Sequence, residues 1–448
     1  MAAPSEICRI FSISELKPFQ AEVIDNLLNG SDVFLSVKTG AGKSICYQGF
    51  QPSWTVHHRS NDCTVLVIAP LISIMKEQTS YLRSVGFKAT YIGLDDKEEE
   101  DIMQMSHDFL FSSPESILGV QKWRDTVNGP AGERIRLLVL MKPILLFIGK
   151  GEADHTDEPF RRWYGKLGEL RSILECPVLL LTATANKSAR KKIEYKLGLK
   201  NCFYHISNPE RENIKLFVQK VKSTLPLEDI FHFILSKLKQ HQHKCPRVII
   251  FCTSINTCGQ IVTMLRINLG KEMDYVQMFH SKITEDVKDD IRKDMEKEDG
   301  HIRVLIATSA AGMGVNFKGL YEVINYGPPK DMDAFVQQFG RVGRDGVQSK
   351  ALLLYNSKQC KNVDSDMKAY LSNVHLCRRK CLLEAYNAQP SVTVKHMCCD
   401  ICSKECACGE PECDTLSSPY SENVASQSSD MSETESENSA TGSDVDQM

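Results

Sequence analysis

Long apolar runs are what this chain of 448 residues most plainly lacks. A membrane-spanning helix needs roughly eighteen consecutive apolar residues, and no such stretch occurs. No early apolar segment leads to a small-residue cleavage site either, so neither a membrane span nor secretion is expected. Strong net charge is missing too: the formal value is -3, which alone speaks against a strongly basic nucleic-acid binder. Basic residues vanish altogether from Thr415 to Met448, where Glu422, Asp430, Glu433, Glu435, Glu437, Asp444 and Asp446 add seven negative charges. Without those seven, the rest of the chain stands at +4, a mildly basic body. The segment 414–448 is Ser-rich and nearly free of aromatics, so it cannot bury enough apolar surface to fold by itself. It is expected to be a disordered acidic tail, open to phosphorylation. Cysteine is not scarce, at 17, but most of it stands singly with no leader peptide, which implies free thiols in a reducing compartment. The exception is a dense cluster after Cys377.

What is present is ordinary globular composition, 42% hydrophobic and 25% charged, in a chain long enough for two or three domains. Buried strands are expected at Asp32–Val37, Thr64–Ala69, Val178–Leu181, Arg247–Phe251, Arg303–Ala307 and Glu322–Asn325. Their uninterrupted hydrophobicity suits parallel strands covered on both faces. Helical spacing in Phe19–Leu28 and Asn256–Leu269 alternates with them, which implies α/β architecture. The alternation comes in two blocks separated around Asn201–Leu225, so two similar lobes are expected. After about Tyr355 the strand pattern gives way to a helical, Cys-rich module.

The strand at Val33–Val37 runs directly into Lys38-Thr39-Gly40-Ala41-Gly42-Lys43-Ser44 and then a helix. Small residues let backbone N–H groups curl around a phosphate, and the helix start adds its positive end. Lys43 is then expected to reach the outer phosphates of ATP, and Ser44 to hold Mg²⁺. Val37 takes the place of the first Gly in the strict GxxxxGK[ST] pattern; the form xTGxGKS remains.

Further segments follow in order. Leu16-Lys17-Pro18-Phe19-Gln20 precedes the loop, and Ala69-Pro70-Leu71-Ile72-Ser73-Ile74-Met75-Lys76-Glu77-Gln78 and Ser112-Ser113-Pro114-Glu115 follow it. Leu181-Thr182-Ala183-Thr184-Ala185 closes the first block. The second block carries Ile250-Phe251-Cys252-Thr253-Ser254, Phe279-His280-Ser281, Ala307-Thr308-Ser309-Ala310-Ala311-Gly312-Met313-Gly314-Val315 and Gln337-Gln338-Phe339-Gly340-Arg341-Val342-Gly343-Arg344-Asp345-Gly346. This series resembles motifs I, Ia, III, IV, V and VI of the RecQ-type helicases of superfamily 2, over roughly residues 10–405. The resemblance implies two tandem RecA-like lobes, 1–205 and 206–357, then a zinc-binding module at 358–413. It implies an ATP-dependent 3′ to 5′ DNA helicase acting on single-stranded and partly duplex DNA, nuclear, with repair proteins as partners of the tail. Lys17, Gln20, Thr39, Gly40, Ala41, Gly42, Lys43, Ser44 and Gln337 would hold the nucleotide. Arg341 and Arg344 would stabilise charge developing on the γ-phosphoryl group. Ser73, Lys76, Thr253 and Thr308 would touch DNA, giving sequence-independent, salt-sensitive binding.

The family places Asp-Glu-Ala-His after a strand, followed by an aromatic loop. Here the strand-like Ile135–Leu140 is followed by Met141-Lys142-Pro143, and the pattern resumes at Phe160-Arg161-Arg162-Trp163-Tyr164. Three readings stand: a shifted carboxylate set at Glu152, Asp154 and His155 with Glu152 catalytic, a true degeneration giving a hydrolysis-deficient ATP- and DNA-binding pseudo-helicase, or a local sequence error. Asn316 also replaces the family's usual Asp. In the Cys-rich module, Cys377, His396, Cys399 and Cys402 are the expected zinc ligands, with Cys398 as the rival of His396. Cys406, Cys408 and Cys413 are left over, to bind a second metal or nothing.

Overall fold

The computed structural model of the chain describes residues 4–38, 40–95, 98–141, 163, 165–270, 274–308, 317–392, 394–410 and 413. Among them, two sheets form, each parallel throughout. The first is ordered β3-β4-β2-β5-β6-β1-β7, from β1 (Val33–Ser36), β2 (Thr64–Ile68), β3 (Ala89–Tyr91), β4 (Phe109–Ser112), β5 (Ile135–Met141), β6 (Val178–Thr182) and β7 (Phe203–Ile206). The second is ordered β10-β11-β9-β12-β13-β8, from β8 (Ile214–Lys220), β9 (Arg247–Cys252), β10 (Val276–Phe279), β11 (Val304–Ala307), β12 (Leu320–Tyr326) and β13 (Ser349–Tyr355). The expectation of a two-lobed α/β protein holds. The expected gap at Asn201–Leu225 does not, because β7 and β8 both lie inside it. The chain changes sheets between Ile206 and Ile214.

Each central strand feeds two cores. In β1, Val33 and Leu35 pack on one face of the sheet and Phe34 on the other. β2, β5 and β6 divide the same way, with Val65, Leu137 and Leu179 on one side and Leu66, Leu138 and Leu180 on the other. A period of two with both faces apolar is what helices on both sides of a parallel sheet require. In the second lobe Ile249 and Phe251 face one core, and Val248 and Ile250 the other.

The Cys-rich module is built into lobe 2. Met367, Tyr370, Leu382, Leu383, Tyr386 and Ile401 belong to the same hydrophobic cluster as Ile249, Phe251 and Leu353. Strand β8 would otherwise present a bare edge. The module covers it, with a bridge between Leu216 and Cys399 and a bond from the Val218 amide to Asp400 at 3.2 Å. Arg378, itself buried, pairs with Asp400 at 2.9 Å, and Arg379 donates to the carbonyls of Arg211 at 2.9 Å and Ile214 at 2.5 Å.

In lobe 1 the buried Asp32 performs a similar stitching task. Its carboxylate accepts from the amides of Val178 at 2.9 Å and Lys200 at 2.6 Å and pairs with Arg171 at 2.9 Å. Asp32→Ala strands two amides and a largely buried guanidinium, which costs about 3 kcal/mol. The expected result is an earlier unfolding transition for lobe 1 in a urea titration, with Asp32→Asn losing less because it keeps one acceptor. Equal midpoints for the alanine variant and the wild type would contradict this account.

Candidate functional site

In a parallel sheet all carboxyl ends lie along one edge, and open α/β sheets bind ligands beyond that edge. The motifs of both lobes leave such ends. The phosphate loop follows β1, the Ser73–Lys76 segment follows β2, Ser112–Glu115 follows β4 and Thr184 follows β6. In lobe 2, Thr253 follows β9 and Thr308 follows β11.

The phosphate loop turns on Gly40 and Gly42, whose φ angles of +84° and +90° suit glycine. A Cβ at Gly42 would also lie 2.6 Å from Gln20 Nε2 and would push that side chain away from the loop. Gln20 is buried and donates to the Gly42 carbonyl at 2.9 Å, while its Oε1 accepts from the Lys17 amide at 2.9 Å. Lys17 Nζ donates to the Ala41 carbonyl at 3.0 Å. The two residues expected to read the nucleotide thus clamp the loop from the side. Lys43 Nζ lies over the loop, donating to the carbonyls of Val37 at 2.7 Å and Lys38 at 3.1 Å. Burial brings its pKa down to about 8. A partly desolvated ammonium held by neutral carbonyls gains from an anion, so the loop fits a phosphate chain. Beyond Ser44, helices Ser44–Gln48 and Phe50–His58 are joined through Gly49 in helical conformation (φ -73°, ψ -19°), which continues the run of aligned peptide dipoles behind the loop. Tyr47 and Gln48 both donate to Gln78 Oε1, at 2.6 and 3.0 Å, which links this helix to helix Ile72–Ser84. That second helix buries Met75, Thr79 and Leu82 and leaves Ser73 and Lys76 exposed.

In lobe 2, Arg341 and Arg344 follow helix Met332–Phe339. Burial brings Arg341 down to about 10, with the charge of Arg344 adding to the effect. Burial lowers Arg344 as well, and Arg211 contributes. Arg211, which no sequence motif marks, holds the arginine loop by donating to the carbonyls of Gly340, Val342 and Gly343 at 3.3, 3.1 and 2.6 Å. Asn213 Nδ2 adds bonds to the carbonyls of Gly343 and Val347, both at 2.8 Å. Three cations gathered in a half-buried place form a site for concentrated negative charge.

The lobes meet where motif III faces motif VI. Gln337, expected at the nucleotide, donates to Thr184 Oγ1 at 3.1 Å, so the structure places it on the seam between lobes. Beside it the buried Asp333 accepts from the Asn186 amide of lobe 1 at 3.3 Å and from the Tyr386 hydroxyl of the module at 2.8 Å. The Lys187 amide bonds to the Ala385 carbonyl at 3.1 Å. Asp333 was missed although it interrupts the apolar stripe of Met332, Phe335, Val336 and Phe339. A carboxylate in such a stripe is a signal.

The remaining expectations fare unevenly. Thr253 is exposed, and Thr308 is half-buried with its amide bonded to the Phe279 carbonyl at 3.2 Å. Thr39, Glu152, Asp154 and His155 lie outside the described residues, as do Phe160–Arg162, Tyr164 and Ser309–Asn316. Trp163 packs against Gly119 in lobe 1, with Lys166 Nζ 5.0 Å from its ring. The expected metal set needs correction. Cys377, Cys398, Cys399 and Cys402 converge, with ligand atoms all within 4.8 Å of one another and Cys377 Sγ 3.5 Å from Cys398 Sγ. His396 instead joins Cys406, Cys408 and Cys413 in a second group. The spacing of the sequence left His396 and Cys398 as rivals; the short helix Lys395–Cys398 sends them to different groups.

Two family models match this chain: DEAD/DEAH box helicase over residues 17–193 and helicase conserved C-terminal domain over residues 227–346. The ATP-dependent DNA helicase RecQ of Haemophilus influenzae is 28% identical over 79% of this chain and 53% of that protein. The protein of the same name from Pasteurella multocida is 28% identical over 77% of the chain and 51% of that protein. The chain therefore spans about half the length of these curated relatives. Among solved structures, S. cerevisiae Dbp5 bound to RNA and ADP BeF3 aligns at a TM-score of 0.59 with 15% identity, covering 84% of this chain and 92% of that one. The last likeness concerns the fold.

The interlobe carboxyl yields a test. Burial raises Asp333 to about 6, against the pull of the Tyr386 hydroxyl and Asn186 amide. The folded protein holds this proton more tightly than an unfolded chain does. Its contribution to stability is present below the ordinary Asp range and is lost as pH rises through about 6. Asp333→Asn cannot ionise and keeps an acceptor for Tyr386. Between about pH 5 and about pH 7, the thermal midpoint of the variant should rise relative to wild type. A pH-independent difference would refute the assignment.

Proposed function

We propose that this chain, whose two lobes match the two helicase models and which is similar to the RecQ helicases of two bacteria, works as a RecQ-type helicase of superfamily 2, moving along single-stranded DNA in the 3′ to 5′ direction at the expense of ATP and unwinding duplex as it goes. One observation carries the reading. The phosphate loop lies at the carboxyl edge of lobe 1, the arginine loop lies at the amino ends of β8 and β12, where the Gly343 amide bonds to the Leu320 carbonyl, and the Gln337–Thr184 bond joins the helix that carries that loop to motif III. Phosphoryl transfer requires little covalent help from a protein; it requires positioning and compensation of charge.

The residues divide that work. Backbone amides of the loop, Lys43 and Ser44 would bind and orient the triphosphate and its Mg²⁺, which supply the phosphoryl group and the neutralising charge. Arg341 and Arg344 would compensate charge that grows on the γ-phosphoryl oxygens. Arg211 and Asn213 are positioning residues that fix the arginine loop. Because Gln337 and Asp333 connect that loop to motif III, a change in nucleotide state alters the fit between lobes. Ser73 and Lys76 on one lobe and Thr253 and Thr308 on the other would hold the DNA backbone, so a change in fit becomes a step along the strand. The thiols of Cys377, Cys398, Cys399 and Cys402 suit a closed tetrahedral zinc site that fastens the module to β8. A nuclear location accords with the DNA substrate.

The test is ATP hydrolysis with and without single-stranded DNA. Wild type should show DNA-stimulated turnover that vanishes in Lys43→Ala. Arg341→Ala should lose turnover by on the order of 10³-fold while binding nucleotide nearly as well. Nucleotide binding without turnover in wild type would overturn the helicase reading, and would make the sequence Met141-Lys142-Pro143, in place of the family's carboxylates, the reason. For the DNA contacts, Lys76→Ala should weaken binding equally across sequences and reduce the salt slope by about 1. An effect confined to one sequence would remove Lys76 from the backbone-contact set.

A further inference from the structure

We propose that the module binds a second zinc ion, held by His396, Cys406, Cys408 and Cys413. This site is separate from the Cys377 group and independent of the helicase reading. Its four ligand atoms lie within 4.8 Å of one another. His396 Nδ1 is 3.2 Å from Cys408 Sγ and 3.5 Å from Cys406 Sγ. Cys408 Sγ is 3.4 Å from Cys406 Sγ and 3.3 Å from Cys413 Sγ.

Neither a disulfide nor hydrogen bonding among thiols accounts for this convergence. A disulfide brings two sulfurs to about 2.05 Å and uses cysteines in pairs. Here three sulfurs surround one imidazole, so a disulfide leaves a thiol and the ring unaccounted for. Hydrogen bonding among neutral thiols is weak and does not justify bringing three of them together at a surface. The ring belongs to a histidine that is 3% exposed and points from the module into the cluster. Three thiolates and one neutral imidazole make a standard tetrahedral donor set for Zn²⁺. Zn–S bonds of about 2.3 Å in a tetrahedron place sulfurs roughly 3.8 Å apart, close to the separations seen.

The backbone explains how two sites fit side by side. His396 and Cys398 stand two residues apart on the helix Lys395–Cys398, so their side chains leave it about 200° apart. Cys398 turns toward Cys377, and His396 turns toward the segment after helix Asp400–Lys404. The second ion thus ties Cys406, Cys408 and Cys413 back onto the helix that also serves the first. The sites differ in exposure. Cys398 and Cys399 are buried, whereas Cys408 is exposed and Cys406 and Cys413 are half-buried. Closed, buried sites exchange slowly, so the second zinc should be the first to leave.

The experiment is zinc content of the full chain by mass spectrometry after dialysis against metal-free buffer, with zinc itself as the probe. Wild type should hold two ions per chain and release them to a chelator in two phases. The double variant Cys406→Ser, Cys408→Ser should hold one ion and lack the fast phase, with its far-ultraviolet circular dichroism unchanged. Cys413→Ser, which removes a single peripheral ligand, should accelerate the fast phase and leave the slow one alone. Cobalt substitution should give thiolate charge-transfer absorption whose intensity falls by roughly three-sevenths in the double variant, matching the share of thiolates in the second site. One ion in wild type overturns the proposal. So does retention of two ions in the double variant, which would mark the second as adventitious.

Discussion

Parallel strands buried on both faces leave a sheet only its rims for chemistry, the edges where the strand ends emerge. The double core of each lobe imposes that constraint here: Phe34, Leu66, Leu138 and Leu180 fill one side while Val33, Val65, Leu137 and Leu179 fill the other. Neither face is open to a ligand. The phosphate loop, the motif III turn and the arginine loop are therefore confined to rims, and one rim alone holds either the phosphate cradle or the guanidinium groups. The chemistry is incomplete until two rims meet. This is why the seam at Gln337, Thr184, Asp333 and Asn186 matters more than any single contact within a lobe.

The seam also joins a third body. Tyr386 places the Cys-rich module on the carboxylate that faces lobe 1, and Arg379 and Asp400 root the same module in β8. Sharing a hydrophobic cluster with Phe251 and Leu353, the module moves as part of lobe 2. The desolvation that raises the Asp333 carboxyl is a measure of how tightly the three bodies close around it.

Much of this was legible in the residues, and the remainder has physical reasons for being hidden. The phosphate loop was readable because Gly40, Gly42, Lys43 and Ser44 follow a strand at fixed spacing, and geometry there is local. Strands β7 and β8 were not, because Phe203–Ile206 is a partly exposed edge and Ile214–Lys220 ends in polar residues. Edge strands lack the continuous apolar signal of central ones. The role of Arg211 depends on carbonyls more than a hundred positions away, a separation no local pattern encodes. The metal ligands were readable as a set and not as a partition. Deciding between His396 and Cys398 takes the direction in which each side chain leaves a single helical turn.

The crossing between the sheets has a mechanical consequence. Residues 207–213 are the covalent joint of the lobes, yet Arg211 and Asn213 also grip the loop of Arg341 and Arg344. Glu210 meanwhile accepts from the Ser391 hydroxyl at 2.6 Å, and Asn208 donates to the Gln389 carbonyl at 2.9 Å. Pivot, trigger and brace are thus one linkage with few independent motions. When the hinge turns, the arginine loop has to turn with it. The angle between the lobes and the aim of the guanidinium groups are a single mechanical coordinate.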